Sequence, residues 1–378
     1  MKKFFLFLLS SLLFLNAVCP AFALPSAAAP DVLAGGYILM EQGERVALCS
    51  LNADRQLSPA STTKIMTCLV VLERCALTED VTVLEEGCGV EGSSAYLRPG
   101  EHLTVEELLY CLMLRSANDA AQTLALYTAG SIEEFARLMN EKAEELGLSG
   151  THFANPHGLS AEGHYTCAKD LALLTCAALE NPTFEKIVST KSIVIGSGEN
   201  SRYLTNHNKL LFSLEGCIGV KTGYTMEAGR CLVSACRREE TTLVCVTLSC
   251  KNDWISHTEL YQYGFKTIKR FTLPEESFTV PYAGSDIPVA VTHSSYSFLA
   301  SPDDHVTFET VCPHMLYAPI KEGENVGYIS VLLNGAEIAQ VEVCSTEERV
   351  ESPKKNIFQK IIDFIFSLFQ KNRKQKAS

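Results

Sequence analysis

A chain of 378 residues exceeds the usual span of one domain and is long enough to bury a substantial core. Apolar residues make up 47%, so the chain is globular rather than disordered. Its 32 basic against 44 acidic residues give a formal −12, the opposite sign to that of a nucleic-acid binder.

Residues 1–23 read as a secretory signal peptide, with Lys2 and Lys3 as the charged start, Phe4 to Leu15 as the apolar stretch and Ala21-Phe22-Ala23 as a small-x-small cleavage site. The apolar run falls short of the ~20 residues a spanning helix needs, so a cleaved leader is favoured over a retained anchor. Asn16, three before Cys19, sets aside a lipoprotein signal. After a flexible lead-in through Pro30, Tyr37–Met40 and Val46–Leu51 flank Gln42-Gly43-Glu44 as a strand hairpin. From Ser61 the period changes: Ile65, Met66, Leu69 and Leu72 recur at helical steps, with Cys68 and Val70 also apolar, so this helix is buried nearly all round. Thr104 with Glu107, and Ser131 with Glu134, are capping boxes that open helices ending near Leu114 and Gly147. A further helix starts near Thr166. Strands return at Ser192–Ile195, Gly219–Lys221, Arg230–Cys236 and Thr242–Ser249, followed by a helix across His257–Ile268. Strands at both ends with helices between predict an antiparallel sheet covered by helices, an α+β domain over residues 31–272.

Composition shifts at Pro274. Phe278–Pro281, Ile287–Thr292, His305–Glu309, Gly327–Leu333 and Glu337–Val343 read as short strands, so residues 274–350 form a small all-β domain. The tail, residues 354–378, differs again. Ile357, Phe358, Ile361, Ile362, Ile365, Leu368 and Phe369 follow helical spacing, and Lys354, Lys355, Lys371, Arg373, Lys374 and Lys376 flank them. Large apolar side chains beside a basic fringe describe an amphipathic helix lying in a membrane surface; the alternative is a helix packed on its own protein or a partner. Fourteen of the 15 cysteines lie beyond the leader, with no Cys-x-x-Cys and many in apolar runs (Cys68, Cys176, Cys231, Cys245, Cys344), so they read as small buried hydrophobes rather than a disulfide framework. In an exported protein, so many free thiols imply a reducing, oxygen-poor habitat. The nine histidines do not pair with cysteines or carboxylates at ligand spacing, so no metal or other cofactor is expected.

Three motifs carry the chemistry, in one order: Ser61-Thr62-Thr63-Lys64, Ser116-Ala117-Asn118 and Lys221-Thr222-Gly223. Each alone is weak, since Ser352-Pro353-Lys354-Lys355 and Ser50-Leu51-Asn52 fit two of the patterns by chance. Together they spell a serine acyl-transfer site in which a lysine handles the proton. One turn of helix brings Lys64 to the Ser61 hydroxyl, and the head of the helix sets backbone N–H groups near developing negative charge. To act as base Lys64 must be neutral, and burial with Lys221 as a second cation lowers its pKa. Ser116 reads either as an N-cap, with Asp119 three on, or as a proton relay to a leaving amine, with Asn118 holding a substrate amide. Lys221 and Thr222 suit a carboxylate, and Gly223 lets substrate lie along the strand edge.

With these motifs, Asn52–Ala60, Phe153-Ala154-Asn155-Pro156-His157-Gly158-Leu159, Tyr165-Thr166 and Ile218–Thr225 make the chain resemble the D-alanyl-D-alanine carboxypeptidases, the low-molecular-mass penicillin-binding proteins. The resemblance runs from about Gly35 to the tail, with Glu324–Val343 similar to that family's C-terminal β domain. It implies a β-lactamase/transpeptidase-like catalytic domain, with Ser61 as nucleophile, Lys64 as base and Ser116 as relay. Asn118, Lys221, Thr222, Gly223 and Tyr224 would bind substrate, with the backbone N–H groups of Ser61 and Tyr224 as oxyanion hole. It further implies peptidoglycan stem peptides and β-lactam antibiotics as partners, cell-wall trimming at the outer face of the cytoplasmic membrane, and no metal. Some members carry an arginine after the last strand of the sheet to help hold the substrate carboxylate; here that stretch offers Lys251 at best. A class A β-lactamase would need Glu-x-x-Leu-Asn, which is absent, and intact Ser61, Lys64 and Lys221 argue against a silent wall-binding protein.

Overall fold

In a computed structural model of the chain, the residues described are 28–283 and 286–350. The expected leader (1–23), the tail helix (354–378) and the decoy motif at Ser352 lie outside them. The chain divides into two compact units, residues 28–270 with 300–302 and residues 271–299 with 303–350.

The first unit runs β1 (Gly36–Glu41), β2 (Ala47–Leu51), α1 (Lys64–Arg74), β3 (Asp80–Thr82), β4 (His102–Thr104), α2 (Val105–Leu114), α3 (Asn118–Ala129) and α4 (Ile132–Glu145). It continues with α5 (Ala168–Leu179), α6 (Pro182–Ser189), β5 (Ser192–Ile195), β6 (Arg202–Thr205), α7 (Leu210–Ser213), β7 (Cys217–Thr225), β8 (Gly229–Arg238), β9 (Thr241–Leu248), α8 (Asp253–Thr267) and the start of β10 (Lys269–Leu273). Five strands form one antiparallel sheet in the order β2-β1-β9-β8-β7. Strand β9 is buried at all eight positions because α5 packs against one part of it and α8 against another, which covers both faces. The expected strand at Ser192–Ile195 is present but pairs with β6 in a separate hairpin, outside the main sheet.

The helix ends follow their side chains. Thr104 Oγ1 accepts from the Glu107 N–H at 3.2 Å while Glu107 Oε2 accepts from the Thr104 N–H at 2.8 Å, a complete capping box. Ser131 Oγ caps α4 through the Glu134 N–H at 3.1 Å. Inside, α1, α2, α3 and α5 bury aliphatic faces in one continuous core with the sheet. One buried polar group there is satisfied rather than functional. His257, fully buried on α8, lies 2.7 Å from Ser234 Oγ and 3.0 Å from Thr247 Oγ1, and burial lowers its pKa to about 3, so it is neutral.

The second unit comprises β11 (Glu276–Val280), β12 (Val289–His293), β13 (Tyr296–Ala300), β14 (Val306–Val311), β15 (Asn325–Leu333) and β16 (Ala336–Ser345). Its main sheet has the order β11-β12-β16-β15-β14. Asn334 and Gly335 close the β15–β16 hairpin at φ 52° and 81°, the two left-handed positions of a type I′ turn.

Candidate active site

The nucleophile candidate sits on a bent approach. Ala60 takes φ 47°, residues Ala60–Thr63 wind as a 3₁₀ turn, and α1 proper begins at Lys64. Ser61 therefore precedes the α-helix rather than opening it, a correction to the sequence expectation. The Thr62 and Thr63 hydroxyls donate to the Pro59 and Ala60 carbonyls at 2.6 and 2.9 Å and hold the turn. A left-handed non-glycine residue costs about 1–2 kcal/mol, and such strain concentrates where geometry serves function. Ala60 and Ser116 (φ 59°) both carry it beside the same cleft.

Lys64 is fully buried, and its Nζ meets three acceptors: Ser61 Oγ at 3.1 Å, Asn118 Oδ1 at 2.7 Å and the His157 carbonyl at 2.6 Å. Burial, then the Lys221 cation, hold its pKa well below that of a free lysine, against a smaller opposing pull from Asp119. Lys221 is 1% exposed and donates to the Thr222 carbonyl at 2.9 Å, and burial lowers its pKa to about 7.

Asn118 is the first residue of α3. Its side-chain Nδ2 donates to the Glu91 carbonyl, and its own N–H to the Ser93 carbonyl at 2.7 Å. Asp119, 1% exposed, gathers the adjoining loop: it accepts from Ser94 Oγ at 2.6 Å and from the backbone N–H groups of Ala95 and Leu97, each at 3.0 Å. The N-cap of α3 is Ala117, so Ser116 is not a cap; it lies 4% exposed in the cleft wall.

Lys221-Thr222-Gly223 lies within edge strand β7, which runs on to Thr225, rather than at a strand end. Glycine at 223 has a packing reason: a Cβ there would come within 3.1 Å of the Ser61 nitrogen and 3.2 Å of the Pro59 carbonyl oxygen. The glycine thus lets β7 approach the nucleophile turn.

The loop from Phe153 to His164 closes the floor. Asn155 Oδ1 accepts from the His157 and Gly158 N–H groups at 3.3 and 2.7 Å, and Thr67 Oγ1 donates to the Pro156 carbonyl at 2.6 Å. His164 accepts the Ala154 N–H at Nδ1 (2.9 Å), so its Nε2–H donates to Thr63 Oγ1, also at 2.9 Å. Burial lowers its pKa to about 4 and keeps it in that neutral form.

Together these elements enclose a cleft of about 570 Å³ whose walls include Ser61, Ser116, Thr222, Tyr224, His207 and Arg230, with Lys64 and Lys221 buried behind them. Arg230 escaped the sequence reading. It faces Tyr224 across the β7–β8 ladder, donates from Nε and Nη2 to Asp253 Oδ1 (3.1 and 2.8 Å) and lies 5.6 Å from the Trp254 ring centre. Its place one hairpin away from Lys221-Thr222-Gly223 was the available signal. Lys251 is exposed and is not part of the cleft wall, and Ser50-Leu51-Asn52 belongs to β2 and the turn after it. Among the described residues, no cluster of three or more His, Cys, Asp or Glu is arranged to hold a metal.

The described cysteines are all free, and burial raises Cys111 and Cys176 to about 12.

The D-alanyl-D-alanine carboxypeptidase family profile matches residues 24–252, and that of the penicillin-binding protein 5 C-terminal domain matches residues 276–351. The chain is 33% identical over 384 aligned positions to D-alanyl-D-alanine carboxypeptidase DacC of Escherichia coli (strain K12), covering 95% of this chain and 94% of that protein. It is 30% identical to DacF of Bacillus subtilis (strain 168) over 82% of this chain and 84% of that one. Among solved structures, penicillin binding protein 5 from Haemophilus influenzae superposes with a TM-score of 0.65 at 25% identity, over 86% of this chain and all of the other. The Streptomyces K15 DD-transpeptidase does so with a TM-score of 0.60 at 33% identity, over 63% and 99%.

Proposed function

We propose, for a chain that belongs to the D-alanyl-D-alanine carboxypeptidase family, that Ser61 is the residue through which it works. The enzyme is a serine-type D-Ala-D-Ala carboxypeptidase with the penicillin-binding fold: an α/β catalytic part and a C-terminal all-β part. In the proposed cycle neutral Lys64 takes the Ser61 proton as Oγ attacks the carbonyl between the two terminal D-alanines of a peptidoglycan stem peptide. The backbone N–H groups of Ser61 and Tyr224 receive the oxyanion. Collapse breaks the peptide bond, and the leaving amine takes its proton by way of Ser116. Water then hydrolyses the Ser61 ester. Asn118 and the edge of β7, open at Gly223, hold the peptide, while Lys221, Thr222 and Arg230 hold its terminal carboxylate.

The observation that carries this reading is the fully buried Lys64 within 3.1 Å of Ser61 Oγ, with its pKa depressed. Among the described residues lining the cleft the one acid is Asp253, and it is bound to Arg230, so no unpaired carboxylate lines that wall to drive rapid loss of a penicillin adduct as in a class A β-lactamase. Penicillin should therefore leave a long-lived adduct, located by mass spectrometry on Ser61. Ser61→Ala should take no label and release no D-alanine from a pentapeptide ending in D-Ala-D-Ala. An adduct on Ser116 or a cysteine, with Ser61 unmodified, would defeat the assignment.

Around this core we place an exported protein: a leader at 1–23, a catalytic domain at 31–272, a β domain at 274–350 acting as a stalk, and a basic amphipathic tail at 354–378 lying on the outer face of the cytoplasmic membrane. Supporting it are the tail's apolar spacing and lysine fringe. Removing residues 354–378 should free the protein from membranes and leave hydrolysis of soluble peptide unchanged.

A further inference from the structure

The second unit carries exposed large apolar side chains close to its last described residue, Val350. Cys312 to Ile320 is an irregular segment with bends at His314, Met315 and Ala318 that contains Pro313 and Pro319. It is pinned at two points. Leu316 donates its N–H to the Pro281 carbonyl at 2.8 Å and accepts from the Ala283 N–H at 2.9 Å. Ile320 exchanges both backbone bonds with Arg349, each at 2.8 Å. Leu316 and Ile320 are buried, at 6% and 3% exposure. Their neighbours in the chain face solvent instead. Met315 and Tyr317 are accordingly 43% and 71% exposed, and Val350, next to the paired Arg349, is 72% exposed. Arg349 also lies over the Tyr282 ring, 6.0 Å from its centre, which ties the segment at 281–283 to the same corner.

Such a corner is costly to leave in water, and the residues beyond Val350 indicate its occupant. Four positions on, the sequence turns basic at Lys354 and Lys355 and then runs into the apolar series from Ile357 to Phe369. Val350 thus stands, in sequence, just before the amphipathic segment assigned to the bilayer surface. Tyrosine favours the headgroup level, with its ring toward the acyl chains and its hydroxyl in water. Glu348, two residues before Val350, is acidic, so the corner's own contribution must be apolar, with the tail lysines supplying attraction to anionic lipid. We propose that Met315, Tyr317 and Val350 form a second membrane contact, which seats the β domain itself on the bilayer surface beside the tail. This rests on the tail being a tether. The two together would restrict the tilt of the β domain, which a single flexible tether does not.

The test uses the chain from Leu24 onward and vesicles of phosphatidylglycerol and phosphatidylethanolamine. Sedimentation should show the unaltered chain bound, and Met315→Ser/Tyr317→Ser bound about tenfold more weakly with D-alanine release from soluble peptide unchanged. In a separate Tyr317→Trp variant, the added tryptophan emission should be quenched by brominated lipid, whereas Trp254 emission in the unaltered chain should not. If the unaltered chain fails to bind vesicles, the tether reading fails and this proposal with it. If it binds and the double variant binds equally well, the tether stands and the second contact is refuted. Binding without quenching at position 317 also refutes it, and would mean that this corner is covered by the chain's own tail or faces away from lipid.

Discussion

Gly158 offers the sharpest test of how the nucleophile is held. Its φ is 91°, and a Cβ placed there would lie 1.9 Å from the Ala60 carbonyl oxygen and 2.5 Å from the carbonyl carbon. Heavy atoms without a bond between them need about 3 Å or more, with carbons best near 3.5–4.0 Å, so the loop or the turn must retreat by about 1 Å. Neither can retreat freely. Ala60 is bonded to Ser61 and accepts from Thr63 Oγ1, while His157, one residue before the glycine, gives its carbonyl to Lys64 at 2.6 Å. A shift of ~1 Å between reacting groups costs on the order of 100-fold in rate, and a side chain at positive φ adds about 1–2 kcal/mol of strain. Gly158→Ala should therefore lower both the rate of penicillin acylation and kcat/KM for D-alanine release by about 100-fold. Its Tm should fall by at least ~2–4 °C, taking about 2–4 °C per kcal/mol for a unit of this size. Stopped-flow acylation and a thermal melt on the same preparation measure the two effects. If acylation stays within threefold of the parent and the melt is unmoved, the nucleophile turn is not braced by this loop.

The lysine pair makes a prediction about pH. The acylation rate should rise with pH as Lys64 loses its proton. Because the Lys221 cation lowers the Lys64 pKa, Lys221→Met should move that rising limb to higher pH; a limb that stays put or moves down would contradict the coupling. Arg230→Ala should raise KM for the pentapeptide about tenfold or more with a smaller change in kcat, and should barely alter kinetics on a pentapeptide with an amidated C-terminus. Equal losses on both peptides would assign Arg230 to the fold instead. Finally, a thiol titration of protein kept anaerobic and then denatured without reductant should approach fourteen per chain beyond the leader, and several stable disulfides would overturn the free-thiol reading.

Much of the site was legible because its chemistry is written in short local patterns. Lys64 follows Ser61 by three residues, and apolar Ile65, Met66 and Leu69 foretell the burial that depresses its pKa. The capping box at Thr104 was equally local, and it formed. What escaped is set by long-range packing. Ser61 looked like the head of an α-helix, yet the contacts of Ala60 with Gly158 and with β7 bend it into a separate turn. Gly223 looked like a concession to substrate, and the nearest neighbours of a Cβ there are the Ser61 nitrogen, the Ala60 Cβ and the Pro59 carbonyl oxygen. Arg230 carries no motif of its own and acquires meaning only from the strand register that sets it opposite Tyr224. Helix α6 was overlooked because it is short, and Asn181, whose side chain accepts from the Thr183 and Phe184 N–H groups, is an ordinary cap with nothing to single it out.

The three contacts of Lys64 carry a consequence in valence. An uncharged primary amine has two hydrogens and one lone pair. The His157 backbone oxygen can only accept, and the Asn118 amide is turned so that its oxygen faces Lys64, because its NH₂ group is engaged by the Glu91 carbonyl. Those two oxygens use up both hydrogens. The lone pair is left a single direction, toward Ser61 Oγ 3.1 Å away. The base is thus aimed by counting rather than by a third titrating residue, and the proton it receives becomes the third hydrogen, directed back at the same oxygen in the tetrahedral adduct until it passes to the leaving amine by way of Ser116.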